Sequence, residues 1–80
     1  MYYIATFFSH FGAIRFKREC QREGMSAQLM PVPRSLSSSC GTCVRFWGPK
    51  DYTVKPDPHG EMEQMVRETE EGYEVIFHGE

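Results

Sequence analysis

Proline and glycine residues divide this chain into short segments, and that division limits the secondary structure it can form. The segments between these breakers have patterns that indicate six elements, in the order βαββαβ. No apolar run approaches the roughly 20 residues of a membrane span, so we expect no membrane partner. The 80 residues are enough for one domain, residues 1–80, with a single small core.

The first two segments predict a strand followed directly by a helix. Residues 2–8 are rich in aromatic and β-branched residues, which are typical of a strand. Ser9 is a good N-cap for a helix over 11–23, and Gly24 ends it. The apolar stripe of this helix, which we expect to face the core, consists of Ala13, Phe16 and Cys20.

The next two segments predict strands. Residues 26–30 form a short strand that two prolines terminate, because proline cannot donate to a ladder. Residues 42–47 alternate in the manner of a strand, whose successive side chains point to opposite faces. One face then carries Thr42, Val44 and Phe46, and the other carries Cys43, Arg45 and Trp47.

The last third of the chain predicts a second helix and a final strand. Asp57-Pro58 has the pattern of an N-cap followed by proline at the first helical position, and Gly72 ends the helix. Residues 73–78 form the last strand. The expected fold class is ferredoxin-like α+β, a four-stranded antiparallel sheet with both helices on one face. The inner stripe of the second helix would be Met62, Met65, Val66 and Thr69.

The loop between the second and third strands concentrates the residues that can carry chemistry. It holds three consecutive serines, Cys40 and Gly41, and small polar residues leave backbone N–H groups accessible to an anion. The thiolate of cysteine is a strong nucleophile. Because right-handed crossovers make the first two strands parallel, we expect Cys40 near the first helix N-terminus, at Ser9 and His10. The partial positive charge there favours the thiolate.

Pro33-Arg34 followed by Ser38-Ser39-Cys40-Gly41 resembles the small family of selenium/sulfur carrier-like proteins, and the resemblance covers most of the chain. It implies a carrier rather than an enzyme, which holds sulfur or selenium on Cys40 as a persulfide or selenosulfide. Such a carrier needs donor and acceptor proteins and no cofactor. We expect the bound anion to be supported by Arg34, Ser38, Ser39 and Gly41, with help from Ser9 and His10.

Cys43 departs from the family pattern and leaves another interpretation open. Its Cys-x-x-Cys spacing with Cys40 suits a thiol-disulfide redox protein in which Cys43 is the resolving thiol. However, that pair opens a helix in thioredoxin-like proteins, whereas Cys43 opens a strand, and alternation directs the two side chains to opposite faces. The loop could also be a structural turn in a non-catalytic interaction module. We expect no metal site, since structural zinc needs four ligands and usually a second close pair.

Charge and exposed aromatics bear on the partners. Residues 1–50 carry seven Lys and Arg and two Asp and Glu, whereas residues 51–80 carry two and nine. The arginines of the first helix are typical of a solvated face, and the third strand lacks the stacking motif of RNA-binding domains, so we expect no nucleic-acid partner. Three reduced cysteines without a secretory leader indicate a cytoplasmic protein. A homodimer through the open sheet face would use Trp47, Tyr3 and Phe7.

Overall fold

The computed structural model describes residues 1–79 and contains one helix and five strands. All strand pairs are antiparallel, and the sheet has the order β2-β3-β1-β4-β5. No helix within these residues is long and apolar enough to cross a membrane. The elements are β1 (Tyr2–Phe7), α1 (His10–Arg22), β2 (Ala27–Pro31), β3 (Thr42–Trp47), β4 (Met62–Thr69) and β5 (Gly72–His78).

The α+β class is confirmed, but the ferredoxin-like βαββαβ arrangement is wrong. The structure has one helix and five strands, not two helices and four strands, because the segment expected to form the second helix is strand β4. This strand pairs with β1 on one side and with β5 on the other. Strand β1 therefore lies in the middle of the sheet, between β3 and β4.

The turn before β4 explains why no helix starts at Asp57. The Asp57 carboxylate accepts a hydrogen bond from the N–H of Met62, five residues on, at 2.8 Å. An N-cap side chain would instead accept from an N–H two or three residues on. The Asp57 carbonyl accepts from the N–H of Gly60 at 3.0 Å, and Gly60 has a φ of 60°, in the left-handed region that a right-handed helix does not use.

A β-bulge explains why β4 has the apolar spacing of a helix. Thr6 pairs with Gln64 and Phe7 with Met62, so one extra residue, Glu63, stands between the two pairs. In a regular strand, residues three apart point to opposite faces. The extra residue of the bulge returns Met62 to the same face as Met65, and both are buried there. The helical spacing of the methionines is thus produced by an irregular strand.

Helix α1 covers one face of the sheet, and its sequence explains both its start and its orientation. Ser9 is the N-cap, and its hydroxyl accepts a hydrogen bond from the N–H of Gly12 at 3.3 Å. The predicted stripe is confirmed: Ala13 and Cys20 are buried, and Phe16 packs against the core. The sheet residues beneath the helix are Tyr3, Ala5, Phe7, Val44, Phe46, Met62 and Met65.

The opposite face, which we call the open face, is exposed over part of its area. The predicted alternation of β3 is confirmed, since Phe46 is buried with the helix-side core whereas Trp47 is 53% exposed. The expectation that Tyr3 and Phe7 lie with Trp47 on the open face is wrong. Directly paired residues share a face, and Trp47 pairs with Tyr2, which leaves Tyr3 on the helix side. Both Tyr3 and Phe7 are buried there.

Removal of the Phe46 ring should destabilise the fold strongly. This side chain is fully buried, with ring centroids 5.1 Å from Tyr3 and 5.4 Å from Phe16. We expect Phe46→Ala to lower the free energy of unfolding by about 3–5 kcal/mol, measured by urea denaturation. The matched control is Trp47→Ala on the open face, where the loss should be at most about 1.5 kcal/mol. Equal losses for the two variants would contradict this assignment of faces.

Candidate functional site

Residues 32–41, which we call the cysteine loop, connect β2 to β3 and lie on the open face. Val32 and Leu36 pack against a small buried cluster formed by Ile4, Cys43 and Val66. The N–H of Val32 donates to the carbonyl of Gly41 at 3.1 Å and closes the base of the loop. Gly41 has a φ of 74°, so a residue without Cβ suits this closure.

The bulge residue Glu63 holds the part of the loop that precedes Cys40. Its carboxylate accepts hydrogen bonds from the backbone N–H of Ser39 at 3.0 Å and from the Ser39 hydroxyl at 2.7 Å. It also accepts from the hydroxyl of Thr6 in β1 at 3.4 Å. The neighbouring Gln64 donates its side-chain amide to the carbonyl of Ser37 at 3.2 Å. Two consecutive residues of β4 therefore position the loop.

Burial acts to raise the pKa of Glu63, but the hydrogen bonds from the Ser39 side chain and backbone and from Thr6 outweigh it. The pKa of Glu63 is consequently lowered from 4.5. The Ser38 hydroxyl adds to this lowering, although its oxygen has no partner in hydrogen-bonding geometry among the described residues. Glu63 is therefore an anion at neutral pH, and its charge lies beside the cysteine loop.

The three cysteines are free thiols with different environments. Cys40 is partly exposed, and its thiol donates to the carbonyl of Thr42 at 3.4 Å. Cys43 is fully buried, and burial, with a smaller contribution from Cys40, raises its pKa to about 11. Cys20 is buried on the inner face of α1, and burial raises its pKa to about 12, with Glu23 and Glu19 adding to the effect. Of the three, Cys40 is the thiol that a reagent can reach.

The remaining predicted site residues lie around the loop with different surroundings. Arg34 is exposed and makes no ion pair within the described residues. The Ser38 oxygen, two positions before Cys40, is buried without a hydrogen-bond partner among the described residues. Ser39, by contrast, uses both its N–H and its hydroxyl on Glu63.

Ser9 and His10 lie at the same end of the sheet as the loop, where they form the N-cap and the first residue of α1. Thr6 pairs with Cys43 and Pro31 with Thr42, so the loop emerges where β1 passes into α1. The helix covers one face of the sheet, whereas the loop packs on the other. In the part of the chain that the structure describes, no hydrogen bond joins Cys40 to Ser9 or His10. The proximity of the helix N-terminus to Cys40 therefore stays a prediction.

Sequence reasoning missed Glu63 and Gln64, because both fall in a segment predicted to be a helix and lie outside its predicted inner stripe. The sequence signal for this bulged strand was the pattern Met62-Glu63-Gln64-Met65, because a bulge can also space apolar residues by three around a charged residue. The described residues contain no group of three or more His, Cys, Asp or Glu side chains arranged to hold a metal ion.

Comparison with known proteins gives one result. The family model described as "Putative Se/S carrier protein-like" matches residues 2–77, which is nearly the whole chain. No significant match is found among curated proteins or among solved structures.

Native-state alkylation should distinguish the three thiols. We expect iodoacetamide at pH 8 to modify Cys40 first, measured by peptide mass spectrometry over time. A pKa of about 11 for Cys43 instead of 9.0 lowers its thiolate fraction about 100-fold, in addition to the protection that burial provides. The control is the unfolded chain in urea, where the three cysteines should react at similar rates. Early modification of Cys43 in the folded protein would contradict the described burial.

The Glu63 contacts should make stability depend on pH. A carboxyl whose pKa is lowered on folding stabilises the native state above its unfolded value, here 4.5, and loses that contribution as pH falls through the lowered folded pKa. We expect Glu63→Gln to reduce the free energy of unfolding by about 1–2 kcal/mol at pH 7 and by progressively less below pH 4. Urea denaturation at several pH values measures this. Glu70→Gln, at an exposed turn, should change stability by less than about 0.5 kcal/mol at pH 7.

Proposed function

The chain belongs to the family of Se/S carrier-like proteins, and from this premise we propose that it carries reduced sulfur or selenium on the Cys40 thiol. The observation that carries this proposal is the exposure of Cys40. It is the partly exposed cysteine of the three, whereas Cys20 and Cys43 are buried with raised pKa values. A carrier thiol must meet a donor and later an acceptor, so access is required at both steps.

Loading with sulfur requires one thiol exchange. The Cys40 thiolate attacks the outer sulfur of a protonated persulfide on the donor, R–S–SH, and the donor S–S bond breaks. The products are the persulfide Cys40–S–SH and the donor thiolate R–S⁻, so no external oxidant is needed. With a donor of the type R–S–Se–S–R, attack on selenium leaves Cys40–S–Se–S–R and releases R–S⁻. Delivery to an acceptor thiolate follows the same chemistry in reverse.

The cysteine loop offers a hydroxyl and a cation for the bound atom. The Ser38 hydroxyl makes no hydrogen bond in the described structure beyond its electrostatic effect on Glu63, and it can donate one when cargo arrives. Arg34 is exposed and unpaired among the described residues, so it can move toward a negative charge on the terminal atom. Gly41 provides an open backbone on the other side of Cys40.

The burial of Cys43 favours the carrier over the redox pair. A resolving cysteine must supply a thiolate to attack its partner, and burial raises the pKa of Cys43 to about 11. Its thiol also lies 3.7 Å from the carbonyl oxygen of Pro31, to which it donates. Cys43 is accordingly a structural residue of the small cluster that the loop covers.

A family of carriers implies donor and acceptor proteins in general, and a donor reaction tests the role of Cys40 directly. The chain is incubated with a cysteine desulfurase and cysteine, and intact-mass spectrometry is used to detect added sulfur. We expect the wild type and Cys43→Ser to gain sulfur atoms and Cys40→Ser to lose at least nine-tenths of this gain. A parallel incubation with bis(glutathionyl) selenide tests selenium in the same variants.

Three results would contradict the carrier role of Cys40. The first is equal sulfur gain in Cys40→Ser and the wild type, and the second is no gain in any variant while the desulfurase itself becomes persulfidated. The third is a reversible loss of two hydrogens that requires both Cys40 and Cys43, which would indicate a redox pair. Cys20→Ser is the matched control for removal of a thiol away from the loop.

A further inference from the structure

We propose that the Glu63 carboxylate makes the Cys40 site select uncharged sulfur or selenium donors over anionic ones. This inference rests on the proposed carrier role of Cys40 and concerns the class of donor that can load it. Three observations support it: the occupied hydrogen-bond donors of Ser39, the short separation of Glu63 from Cys40, and the absence of an ion pair to Glu63 within residues 1–79.

The first observation is that Glu63 already occupies two of the loop donors that an anion would use. An anion bound at a loop is held by backbone N–H groups and by serine hydroxyls. In the cysteine loop, both the N–H and the hydroxyl of Ser39 donate to the Glu63 carboxylate, at 3.0 and 2.7 Å. A phosphate-like or sulfate-like donor would have to displace this carboxylate to reach them.

The second observation is that a fixed negative charge lies close to the reacting thiol. Ser39 directly precedes Cys40, and one carboxylate oxygen of Glu63 is 3.0 Å from the Ser39 nitrogen. Standard bond lengths then place this oxygen within about 8 Å of the Cys40 Cα and within about 11 Å of its sulfur. This separation is at most comparable to the Debye length of about 10 Å at 0.1 M ionic strength, so salt only partly screens the charge.

The third observation concerns the charges that could cancel Glu63. None of the ion pairs between described side chains includes Glu63, so its charge is balanced by hydroxyl and N–H donors alone. Arg34 is the basic residue of the cysteine loop, but its side chain is exposed to solvent and makes no ion pair with Glu63. Of the two β4 side chains that hydrogen-bond the cysteine loop, Glu63 and Gln64, Glu63 is the charged one.

The selectivity follows from these charges. Thiosulfate can load the thiolate by giving its outer sulfur, with formation of Cys40–S–S⁻ and release of sulfite. Its approach brings two negative charges toward both the thiolate and Glu63. A protonated persulfide, R–S–SH, brings none. The structure thus favours a donor that presents an uncharged sulfur, such as a persulfide held on another protein.

The test uses two alkylating reagents that are similar in size and differ in charge. Iodoacetate is an anion and iodoacetamide is neutral, and the ratio of their rates at Cys40 does not depend on how much thiolate is present. We expect this ratio to be lower than that of N-acetylcysteinamide, an uncharged free thiol. In Glu63→Gln it should rise about three- to tenfold, the effect of one unit charge at this separation. Glu61→Gln is the matched control and should change the ratio by less than about twofold.

A measurement on the unchanged protein complements the variant. In the wild type, raising the salt from about 10 mM to about 1 M should move the ratio toward that of the free thiol, because the Debye length falls from about 30 to about 3 Å. An unchanged ratio in folded Glu63→Gln would overturn the proposal, as would a wild-type ratio insensitive to salt. A wild-type ratio above the free-thiol value that falls to that value in Arg34→Gln would assign the field to Arg34 and also overturn the proposal.

Loading experiments then connect the selectivity to the carrier role. Thiosulfate should load Cys40 of Glu63→Gln at least threefold faster than the wild type, whereas loading from the desulfurase persulfide should not accelerate. Alkylation does not require Cys40 to carry anything. If Cys40 takes up no sulfur from any donor while the alkylation ratios follow the expectation above, the carrier role alone is refuted. If Cys40 is loaded from the desulfurase but the alkylation ratios show no effect of charge, the selectivity alone is refuted.

Discussion

The β-bulge at Glu63 is the constraint on which both the core and the cysteine loop depend. One extra residue in β4 keeps Met62 and Met65 on the helix side of the sheet, where they complete the core beneath α1. The same residue carries the carboxylate that holds Ser39 on the other side. A regular strand could not meet both demands with this sequence, because it would direct Met62 and Met65 to opposite faces. Packing and the geometry of the site therefore come from one local irregularity.

The two cysteines of the Cys-x-x-Cys pattern have different environments. Cys43 lies within β3 and points into the small cluster on the open face, where burial raises its pKa. Cys40 precedes the strand, at the end of a loop, and remains partly exposed. Two thiols three positions apart thus have different accessibility because one belongs to a sheet and the other does not. The loop in turn shields Cys43, since Val32 and Leu36 cover the cluster to which it belongs.

The sequence was sufficient for the parts of the fold that local rules determine. Ser9 as an N-cap, the inner stripe of α1 and the alternation of β3 each depend on neighbouring residues, and the structure confirms them. The prediction of a second helix was wrong because the spacing of Met62 and Met65 occurs both in a helix and in a bulged strand. Only the pairing of β4 with β1 distinguishes the two, and pairing is a long-range property. The same error affected the candidate site: the motif points to Cys40, which stays a prediction, whereas Glu63 lies in the segment that was predicted as a helix.

The contact between Ser39 and Glu63 also constrains how the sequence can change. The two residues are separated by 24 positions, yet one supplies both donors and the other both acceptor atoms of a single arrangement. Replacing Glu63 with an apolar residue would leave the Ser39 donors without their partner, and replacing Ser39 alone would leave a charge with fewer hydrogen bonds. Substitutions at these positions are therefore coupled, and viable sequences of this fold should change them together. The pair is a place where covariation among relatives would report a physical bond.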